Sequence, residues 1–380
     1  MKLEVLQENL NKGLSIALRT IANRPQLPVL THLLLKTDKG RLKVSSTDLE
    51  IGTNLLIGSK IEQEGMISVP GKIFAEFVAS LPAEKVSLDY KENSLAVVCG
   101  PYKAKFNCLP AAEFPKMPET PPKPFLTLTG DLFSKSISQV VLAAATDETR
   151  PVLAGVYLFC QGEDLMLVAT DGYRLSLKAL KSFFKGESET SAASFLKKGL
   201  VIPARAFREA IKIADGEGKV KVYLVPDASQ LVFGFDDVEI VTRLIEGKFP
   251  DFEKIIPSES KIQALVDVSQ AKRIVKTAAI FARESANIVR FQLSQQGIKI
   301  SANMAQVGES ENFLEAKVEG GEEKIAFNAR YLLDFLGIVD QETFVLKVNN
   351  ATSPGVFSSE GDDSFIHIIM PVRVQDEENG

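Results

Sequence analysis

Cysteine, histidine and tryptophan are scarce in this chain of 380 residues, and the scarcity excludes several kinds of site. The three cysteines, Cys99, Cys108 and Cys160, include no C-x-x-C pair and are too few for a disulfide framework. Only two histidines, His32 and His367, could serve as nitrogen ligands of a zinc ion. We therefore expect no metal and no other cofactor, and we interpret these five residues as parts of the protein core.

Long apolar runs are also absent, because every hydrophobic stretch is short and interrupted by charge. No segment could therefore span a bilayer, and the N-terminus lacks the features of a signal peptide. We expect a cytoplasmic protein without a membrane partner. The short motifs of a P-loop, a nucleophile elbow, a zinc protease and a dinucleotide-binding turn are missing too. Nothing favours an enzyme, and no catalytic residue is predicted.

A faint threefold internal repeat runs through the chain instead. Each copy begins with a helix-like segment, has a short polar motif at the end of a strand, starts a second helix and ends with a strand that runs into a proline. The polar motifs are Thr47-Asp48, Thr170-Asp171 and Asn303-Met304, and the final prolines are Pro115, Pro250 and Pro371. The starts of the second helices, at Pro70, Pro203 and Asn328, lie 133 and 125 residues apart, and the same landmarks in the same order indicate internal triplication.

Composition shifts divide the copies into domains at residues 1–121, 122–257 and 258–380. The first boundary lies in the proline-rich residues 118–124, which are typical of a stiff linker. Alternating apolar and polar residues between the helices predict strands. The fold class is therefore α+β, with three repeated domains in which two helices pack on antiparallel sheets.

Basic residues are concentrated in the predicted helices, although the whole chain has 44 basic and 49 acidic residues. Those helices, which are 7–22, 71–81, 131–146, 204–214, 267–283 and 329–339, hold twelve basic and six acidic residues. At 100° per residue several cations share a helix face: Lys12 and Arg19; Arg205, Arg208 and Lys212; Lys272, Lys276 and Arg283. A solvated helix face often carries such charges. The concentration in an acidic chain favours a second interpretation, a surface for duplex DNA that does not read the base sequence.

Several local motifs resemble those of bacterial β sliding clamps, the β subunit of DNA polymerase III. The match runs from residue 1 to about 374, and its motifs include the segments 109–115 (LPAAEFP), 150–155 (RPVLAG), 170–175 (TDGYRL), 249–252 (FPDF) and 370–373 (MPVR). The TDGYRL and MPVR segments together are specific to this family. The resemblance implies a head-to-tail homodimer closed into a ring of clamp domains around duplex DNA. It also implies a processivity factor without catalysis, whose partners are a DNA polymerase, a clamp loader and other replication and repair proteins.

The resemblance implies site residues as well. The subunit joint would set Lys105 and Phe106 of one chain against Ile280 and Phe281 of another. Arg24, in a loop, and Lys72, at a helix start, join the cations expected to face DNA, although we expect direct DNA affinity to be weak. A pocket for short, partly hydrophobic partner motifs would be formed by Arg150, Leu153, Thr170, Gly172, Tyr173, Arg174, Leu175, Pro250, Lys254, Ile255, Asn328, Tyr331, Ile368, Met370, Pro371, Val372 and Arg373.

Other functions stay open at this point. A clamp-like paralogue with a specialised role would show substitutions in the pocket, and the pocket residues look intact. An α+β enzyme with a site between repeats would need a nucleotide or a metal. A DNA-binding repeat protein that forms no ring would bind DNA without any dependence on DNA ends.

The chain continues past the family's usual ending as the acidic residues 375–380. Because this tail follows the pocket residue Arg373 closely, our hypothesis is that it competes mildly with acidic partner motifs or repels them. Deleting residues 376–380 should then tighten the binding of a partner peptide. An unchanged peptide dissociation constant would contradict the hypothesis.

Overall fold

The chain forms two compact units, which are residues 1–134 with 205–244 and residues 135–204 with 245–380. The computed structural model describes residues 1–22, 27–147, 149–185, 191–214, 216–225, 229–304 and 306–373. Arg24 and the acidic tail at 375–380 lie outside the described residues. The central third of the sequence contributes to both units.

Seven α-helices lie within the described ranges, and the sequence predicted six of them. They are α1 (Gln7–Ala17), α2 (Gly71–Ala79), α3 (Gly130–Val141), α4 (Ser191–Leu196), α5 (Ala204–Ile211), α6 (Val268–Ala282) and α7 (Ala329–Ile338). The short helix α4 was not predicted. The other six match the predicted segments, with differences at their ends.

Two helices end five residues earlier than the sequence predicted, because their last turns bond elsewhere. The predicted helix 7–22 gives way after Ala17 to a 3-10 turn at Leu18–Thr20. The Ala17 carbonyl there accepts the hydroxyls of Ser46, at 2.7 Å, and of Thr20, at 3.2 Å. The predicted helix 131–146 ends at Val141, and the Ala145 amide donates to a carbonyl of the following segment instead.

The described strands follow the chain in three series. The first is β1 (Lys2–Leu6), β2 (His32–Asp38), β3 (Arg41–Thr47), β4 (Ile51–Ile57), β5 (Ser59–Gln63), β6 (Met66–Pro70), β7 (Lys85–Lys91), β8 (Ser94–Cys99) and β9 (Tyr102–Asn107). The second is β10 (Leu126–Thr129), β11 (Gly155–Gln161), β12 (Asp164–Thr170), β13 (Arg174–Leu180), β14 (Leu200–Pro203), β15 (Lys219–Val225), β16 (Gln230–Gly234) and β17 (Val238–Arg243). The third is β18 (Ile262–Asp267), β19 (Ile288–Ser294), β20 (Gly297–Met304), β21 (Gly308–Leu314), β22 (Ala316–Glu319), β23 (Glu323–Asn328), β24 (Thr343–Val348), β25 (Gly355–Ser359) and β26 (Asp362–Ile369).

These strands form four sheets, two in each unit. The first unit has a sheet in the order β5-β1-β7-β8-β9 and a second in the order β10-β15-β16-β17-β4-β3-β2-β6. The second unit has β14-β11-β12-β13-β26-β25-β24-β18-β22 and β21-β20-β19-β23. The long sheet of each unit joins strands from two copies of the repeat, through the antiparallel pairs β17–β4 and β13–β26.

The order of helices and strands repeats three times, which confirms three repeated domains of mixed helices and antiparallel sheets. Each copy has a strand, a helix, three strands, a further strand, a second helix and three final strands; the first and third copies add one short strand, β5 or β22. The domain boundaries stay a prediction.

Apolar helix faces fill the cores between the sheets. Helix α1 buries Leu10 and Leu14 completely against strands of both sheets in its unit. Gly13 permits this close packing, because a Cβ there would lie 2.6 Å from an Ile57 methyl group. Helix α6 buries Ala271, Val275 and the small residues that follow at helical spacing. Burial of this kind stabilises the fold by about 25 cal/mol per Å² of apolar surface.

Candidate functional site

A tight turn between β12 and β13 positions the centre of the candidate pocket. The hydroxyl of Thr170 donates to the Arg174 carbonyl at 2.7 Å and accepts the Gly172 amide at 3.1 Å. The Asp171 carboxylate accepts the amides of Tyr173, at 2.9 Å, and Arg174, at 3.0 Å. Gly172 has φ +93°, a left-handed conformation that favours glycine. The T-D-G-Y-R sequence therefore makes a rigid turn.

Arg174 is the most constrained cation of the pocket. Its guanidinium donates to Asp171 at 3.0 Å and to Asp334 at 2.5 Å, and its side chain is only 11% exposed. The guanidinium carbon also lies 4.4 Å from the centre of the Tyr331 ring, a cation–π distance. Burial raises the pKa of Tyr331, with the Asp171 charge adding to it. Two carboxylates and a ring thus fix the orientation of Arg174.

The C-terminal segment borders the same turn. The Met370 amide donates to the Tyr173 carbonyl at 2.8 Å, and the Val372 amide donates to Ala326 at 2.8 Å. Leu175 and Ile368 lie opposite each other in the β13–β26 pair and are 1% and 0% exposed. Both side chains belong to the protein's own core. They could contribute only the floor of a pocket.

The remaining pocket residues form a partly apolar rim. Tyr173 is 62% exposed and Ile255 is 38% exposed, while Met370, Pro371, Val372 and Leu153 are half-buried and Pro250 is exposed. Such exposed apolar groups are typical of interaction sites.

Three polar groups at the rim are engaged within the chain. Arg150 donates to the Asp171 carbonyl at 3.2 Å. The Asn328 side-chain oxygen accepts the Arg330 amide at the start of α7. Lys254 pairs with Asp251 at 2.6 Å, which raises the pKa of that lysine. Arg373 is exposed.

Sequence reasoning missed the two carboxylates that hold Arg174. Asp171 stands inside the recognised T-D-G motif, so its position carried a signal. Asp334 lies 160 residues from Arg174 in sequence, and no local pattern connects the two.

Most cations expected to face DNA are exposed on their helices. Lys12, Arg19, Lys72, Arg205 and Lys212 are exposed in the first unit, and Lys272 and Lys276 are exposed in the second. Arg208 is half-buried.

Arg205 and Lys212 have acidic partners among the described residues. Arg205 pairs with Asp48, whose side chain is 12% exposed, and Lys212 pairs with Glu209 at 2.7 Å. Arg205 therefore also fastens α5 to the turn that precedes β4.

The expected joint residues differ in exposure. Phe106 is 8% exposed and makes edge-to-face contacts with Phe74 and Phe77, so it belongs to the core of its own domain. Its neighbour Lys105 is exposed on β9, which is the last strand of its sheet. Ile280 is 51% exposed, and Phe281 is half-buried.

Family profiles of the DNA polymerase III beta subunit match almost the whole chain. The N-terminal domain profile matches residues 1–118, the central domain profile matches residues 127–251 and the C-terminal domain profile matches residues 253–373. The chain belongs to the DNA polymerase III beta subunit family.

Known members of this family match the chain over all or nearly all of their own length. The beta sliding clamp of Streptomyces coelicolor is 29% identical over 98% of this chain and 100% of its own. The crystal structure of the DNA polymerase sliding clamp from Bacillus subtilis superposes with a TM-score of 0.91 at 26% identity, over 99% of this chain and 100% of that one. A sliding clamp from Pseudomonas aeruginosa, solved bound to griselimycin, gives a TM-score of 0.89 at 26% identity, over 98% and 100% of the two chains.

Two features are absent from the described residues of the chain. Within them, no group of three or more His, Cys, Asp or Glu side chains is placed to hold a metal ion. No helix in the same ranges is long and apolar enough to cross a membrane.

Proposed function

We propose that this protein is a DNA sliding clamp, a homodimeric ring that encircles duplex DNA in the cytoplasm and confers processivity on the replicative polymerase. It would act as a tether and catalyse nothing itself. The observation that carries the proposal is the pairing of strands between neighbouring domains. The corresponding strands of the first and third domains lie at the edges of their sheets, where they could pair with another copy of the chain.

Both joints within the chain use the same two strands of the repeat. In both the β17–β4 pair and the β13–β26 pair, the last strand of one copy of the repeat pairs with a strand of the preceding copy. That partner is the third strand after the first helix of its copy. The last strand of the first domain is β9 and the corresponding strand of the third domain is β21, and both are terminal strands of their sheets. Pairing β9 of one copy with β21 of the next would repeat the joint and remove two exposed edges.

The hairpins next to these strands set the expected register. Tyr102 follows the β8–β9 turn as Val238 follows the β16–β17 turn, so Ala104 takes the place of Ile240. In β21, Ser310 lies opposite Ala302 of β20, as Thr53 of β4 lies opposite Ser46 of β3. Ser310 therefore corresponds to Thr53.

Ile240 lies opposite Thr53 in the β17–β4 joint. The β17–β4 joint is the appropriate template because the hairpin that ends in β26 contains a register shift. In the same register Lys103 would face Glu311 and Lys105 would face Glu309. Opposite charges directly across an antiparallel pair are stabilising.

The exposed cations support the DNA part of the proposal. Lys272 and Lys276 are exposed on α6, each about 100° around the helix from the buried Ala271 or Val275 that precedes it. Such a face suits phosphate contacts through counterion release, without base recognition. Arg24, outside the described residues, stays a prediction.

The pocket around Tyr173 supports the proposal of shared partners. The exposed Tyr173 belongs to the rigid turn, and its backbone is hydrogen-bonded to the half-buried Met370, which precedes Pro371. Apolar side chains of a linear motif would bury surface there, and the exposed Arg150 and Arg373 could bind its carboxylates. The partners would be the polymerase, the clamp loader and other replication and repair proteins.

The decisive test is topological retention on DNA. The protein, loaded by a clamp loader with ATP onto nicked circular DNA, should stay bound through gel filtration in high salt. Linearising the DNA should release it, because a ring slides off free ends. Equal retention on both forms would contradict the ring, and binding that is independent of the loader would favour a DNA-binding repeat protein without a ring.

Replacing Arg174 should weaken motif binding. In Arg174→Lys the single ammonium group cannot bridge Asp171 and Asp334 as the guanidinium does, so we expect a partner peptide to bind about tenfold more weakly. Fluorescence anisotropy with a labelled peptide measures this. The control is Lys317→Gln, since the Lys317 side chain is 75% exposed, is paired with Glu319 and lies outside the pocket. Equal affinity losses in both variants would contradict the role of Arg174.

A further inference from the structure

A second cavity, of about 110 Å³, lies in the first unit at the β17–β4 joint. Its walls include Leu49 and Glu50 from the turn before β4, Pro115 and Met117 from the following linker, and Arg243 at the end of β17. An apolar cavity of about 150 Å³ can hold a benzene molecule, so this space is close to the size of one aliphatic side chain. None of these residues belongs to the pocket around Tyr173.

The turn that lines this cavity has the same hydrogen bonds as the turn of the proposed motif pocket. The hydroxyl of Thr47 donates to the Ile51 carbonyl at 3.0 Å and accepts the Leu49 amide at 3.0 Å. The Asp48 carboxylate accepts the amides of Glu50, at 3.1 Å, and Ile51, at 2.9 Å. Leu49 has φ +81°, close to the φ +93° of the glycine in the other turn.

The strands beside the two turns correspond as well. The Arg243 amide donates to the Glu50 carbonyl at 3.0 Å, as the Met370 amide donates to the Tyr173 carbonyl at 2.8 Å. Val241 lies opposite Gly52 at this joint, in the place that Ile368 has opposite Leu175. The cavity is therefore the internal-repeat counterpart of the motif pocket.

We propose that this cavity is a second motif-binding site on each chain, which takes a short peptide with one aliphatic side chain next to acidic residues. The inference rests on the proposed function, because the motif pocket is its template. A dimeric ring would then offer four docking positions, two at each kind of joint.

The two sites have different residues at corresponding positions, and these differences determine which ligand each site would take. Ile51 stands where the motif pocket has Arg174, so no guanidinium is held between carboxylates. Gly52 stands where the motif pocket has Leu175, and the methyl group of Met117 lies 2.5 Å from the position of a Cβ on Gly52. Apolar side chains thus line the space into which the aliphatic group of a ligand would fit.

Two cations give this site its preference for acidic ligands. Lys116 and Arg243 are exposed, and neither forms a salt bridge with any residue in the described parts of the chain. Glu50 is the only carboxylate among the residues named as cavity walls. Charge-assisted hydrogen bonds to a peptide carboxylate would satisfy the two cations. Leu49, 42% exposed in a strained left-handed conformation, would provide an apolar contact at the entrance.

Methionine methyl NMR can observe both sites in one experiment on the full-length protein. Met117 lines the second cavity and Met370 borders the motif pocket. With ¹³C-methyl methionine, assigned through Met117→Leu and Met370→Leu, we would titrate an acetylated hexapeptide of two leucines, two aspartates and two glycines. We expect saturable shifts of both resonances with separate dissociation constants. A peptide with lysines in place of the aspartates should leave the Met117 resonance unmoved.

The double variant Lys116→Gln/Arg243→Gln distinguishes binding at the cavity from an indirect effect. It should weaken the Met117 titration by about tenfold or more and leave the Met370 titration unchanged. A shift of Met370 alone would overturn the second site and leave the motif pocket standing. A shift of Met117 alone would support the second site and contradict the motif pocket. No shift at either methionine would overturn both sites. Equal shifts with both peptides would overturn the proposed charge preference of the second site.

Discussion

Reversing the charges of Lys103 and Lys105 to glutamate should convert the ring into monomers. In the expected register the two lysines face Glu311 and Glu309 across each joint, so the variant replaces two attractive cross-strand pairs with two repulsive ones. Each such pair has a modest effect, but a ring has two joints. We expect the dimer dissociation constant to rise by roughly 10³-fold. Light scattering across a dilution series measures the molar mass.

The compensating variant makes this prediction specific. Adding Glu309→Lys and Glu311→Lys to the same chain restores opposite charges in the reversed sense, and we expect the dimer to return. The four-substitution protein has the same net charge as the parent. A dimer that survives Lys103→Glu/Lys105→Glu would show that this edge is not the joint, and failure of the compensating variant to dimerise would exclude the register.

A control pair tests whether reversal of any two surface charges is sufficient. Lys43 on β3 and Lys60 on β5 belong to the first domain but not to β9. Lys43→Glu/Lys60→Glu should remain dimeric at the concentrations that dissociate the edge variant.

Glu311 also pairs with Lys299 within its own chain at 2.7 Å, so Glu309→Lys alone should have the larger effect of the two single reversals.

The helices could be predicted because their signals are local. Apolar residues at helical spacing, such as Leu10, Leu14 and Ala17, identify the buried face of α1 before any tertiary contact is known. The end of that helix could not be predicted, since the Ala17 carbonyl is taken by the Ser46 hydroxyl, 29 residues away in sequence. Helix ends thus depended on partners that local periodicity does not contain.

The candidate site was predictable by motif but not in its electrostatics. The turn around Tyr173 has a local sequence signature, and its hydrogen bonds span at most four residues. The partners of two important arginines are remote: Arg174 bonds Asp334, 160 residues away, and Arg205 bonds Asp48, 157 residues away. Resemblance also included Leu175 and Ile368 in the pocket, and only the strand pairing reveals that both side chains are buried beneath it.

His367 is the most perturbed titratable group of the β13–β26 joint. It lies opposite Ser176, is 0% exposed, and its Nδ1 is 2.7 Å from the Ser176 hydroxyl. The ring stacks on Phe335 with centres 5.5 Å apart, and its Nε2 is buried without a hydrogen-bond partner among the described residues. Burial lowers the pKa of His367 to about 3, and the charge of Arg174 adds to the effect.

Acid should therefore destabilise the protein through this histidine. The unfolded chain binds a proton at His367 below a pH of about 6.5, whereas the folded chain does not until about 3. Above pH 6.5, His367 therefore leaves the free energy of unfolding unchanged. Between pH 6.5 and pH 3 the free energy of unfolding falls by about 1.4 kcal/mol for each unit by which the pH decreases. We expect a loss of about 2 kcal/mol between pH 6.5 and pH 5 from this residue alone.

The double variant Ser176→Ala/His367→Phe should remove that part of the acid sensitivity. It replaces both members of the hydrogen bond with apolar groups, which avoids a stranded hydroxyl and keeps the aromatic stack. Urea unfolding at pH 7, 6 and 5 measures the stability difference from the parent, which should favour the variant increasingly as the pH falls.

The chain's other histidine provides the matched control. His32 lies 3.1 Å from the Ser68 hydroxyl, and burial lowers the pKa of His32 as well, but the ring is only partly buried. Ser68→Ala/His32→Phe should therefore have a smaller pH-dependent effect. Equal slopes for the two double variants, or an imidazole carbon resonance of His367 that titrates near pH 6.5, would contradict the assignment. Because His367 and Ser176 lie directly beside the Leu175–Ile368 pair, protonation of His367 near pH 3 should loosen the β13–β26 pairing and the motif pocket together.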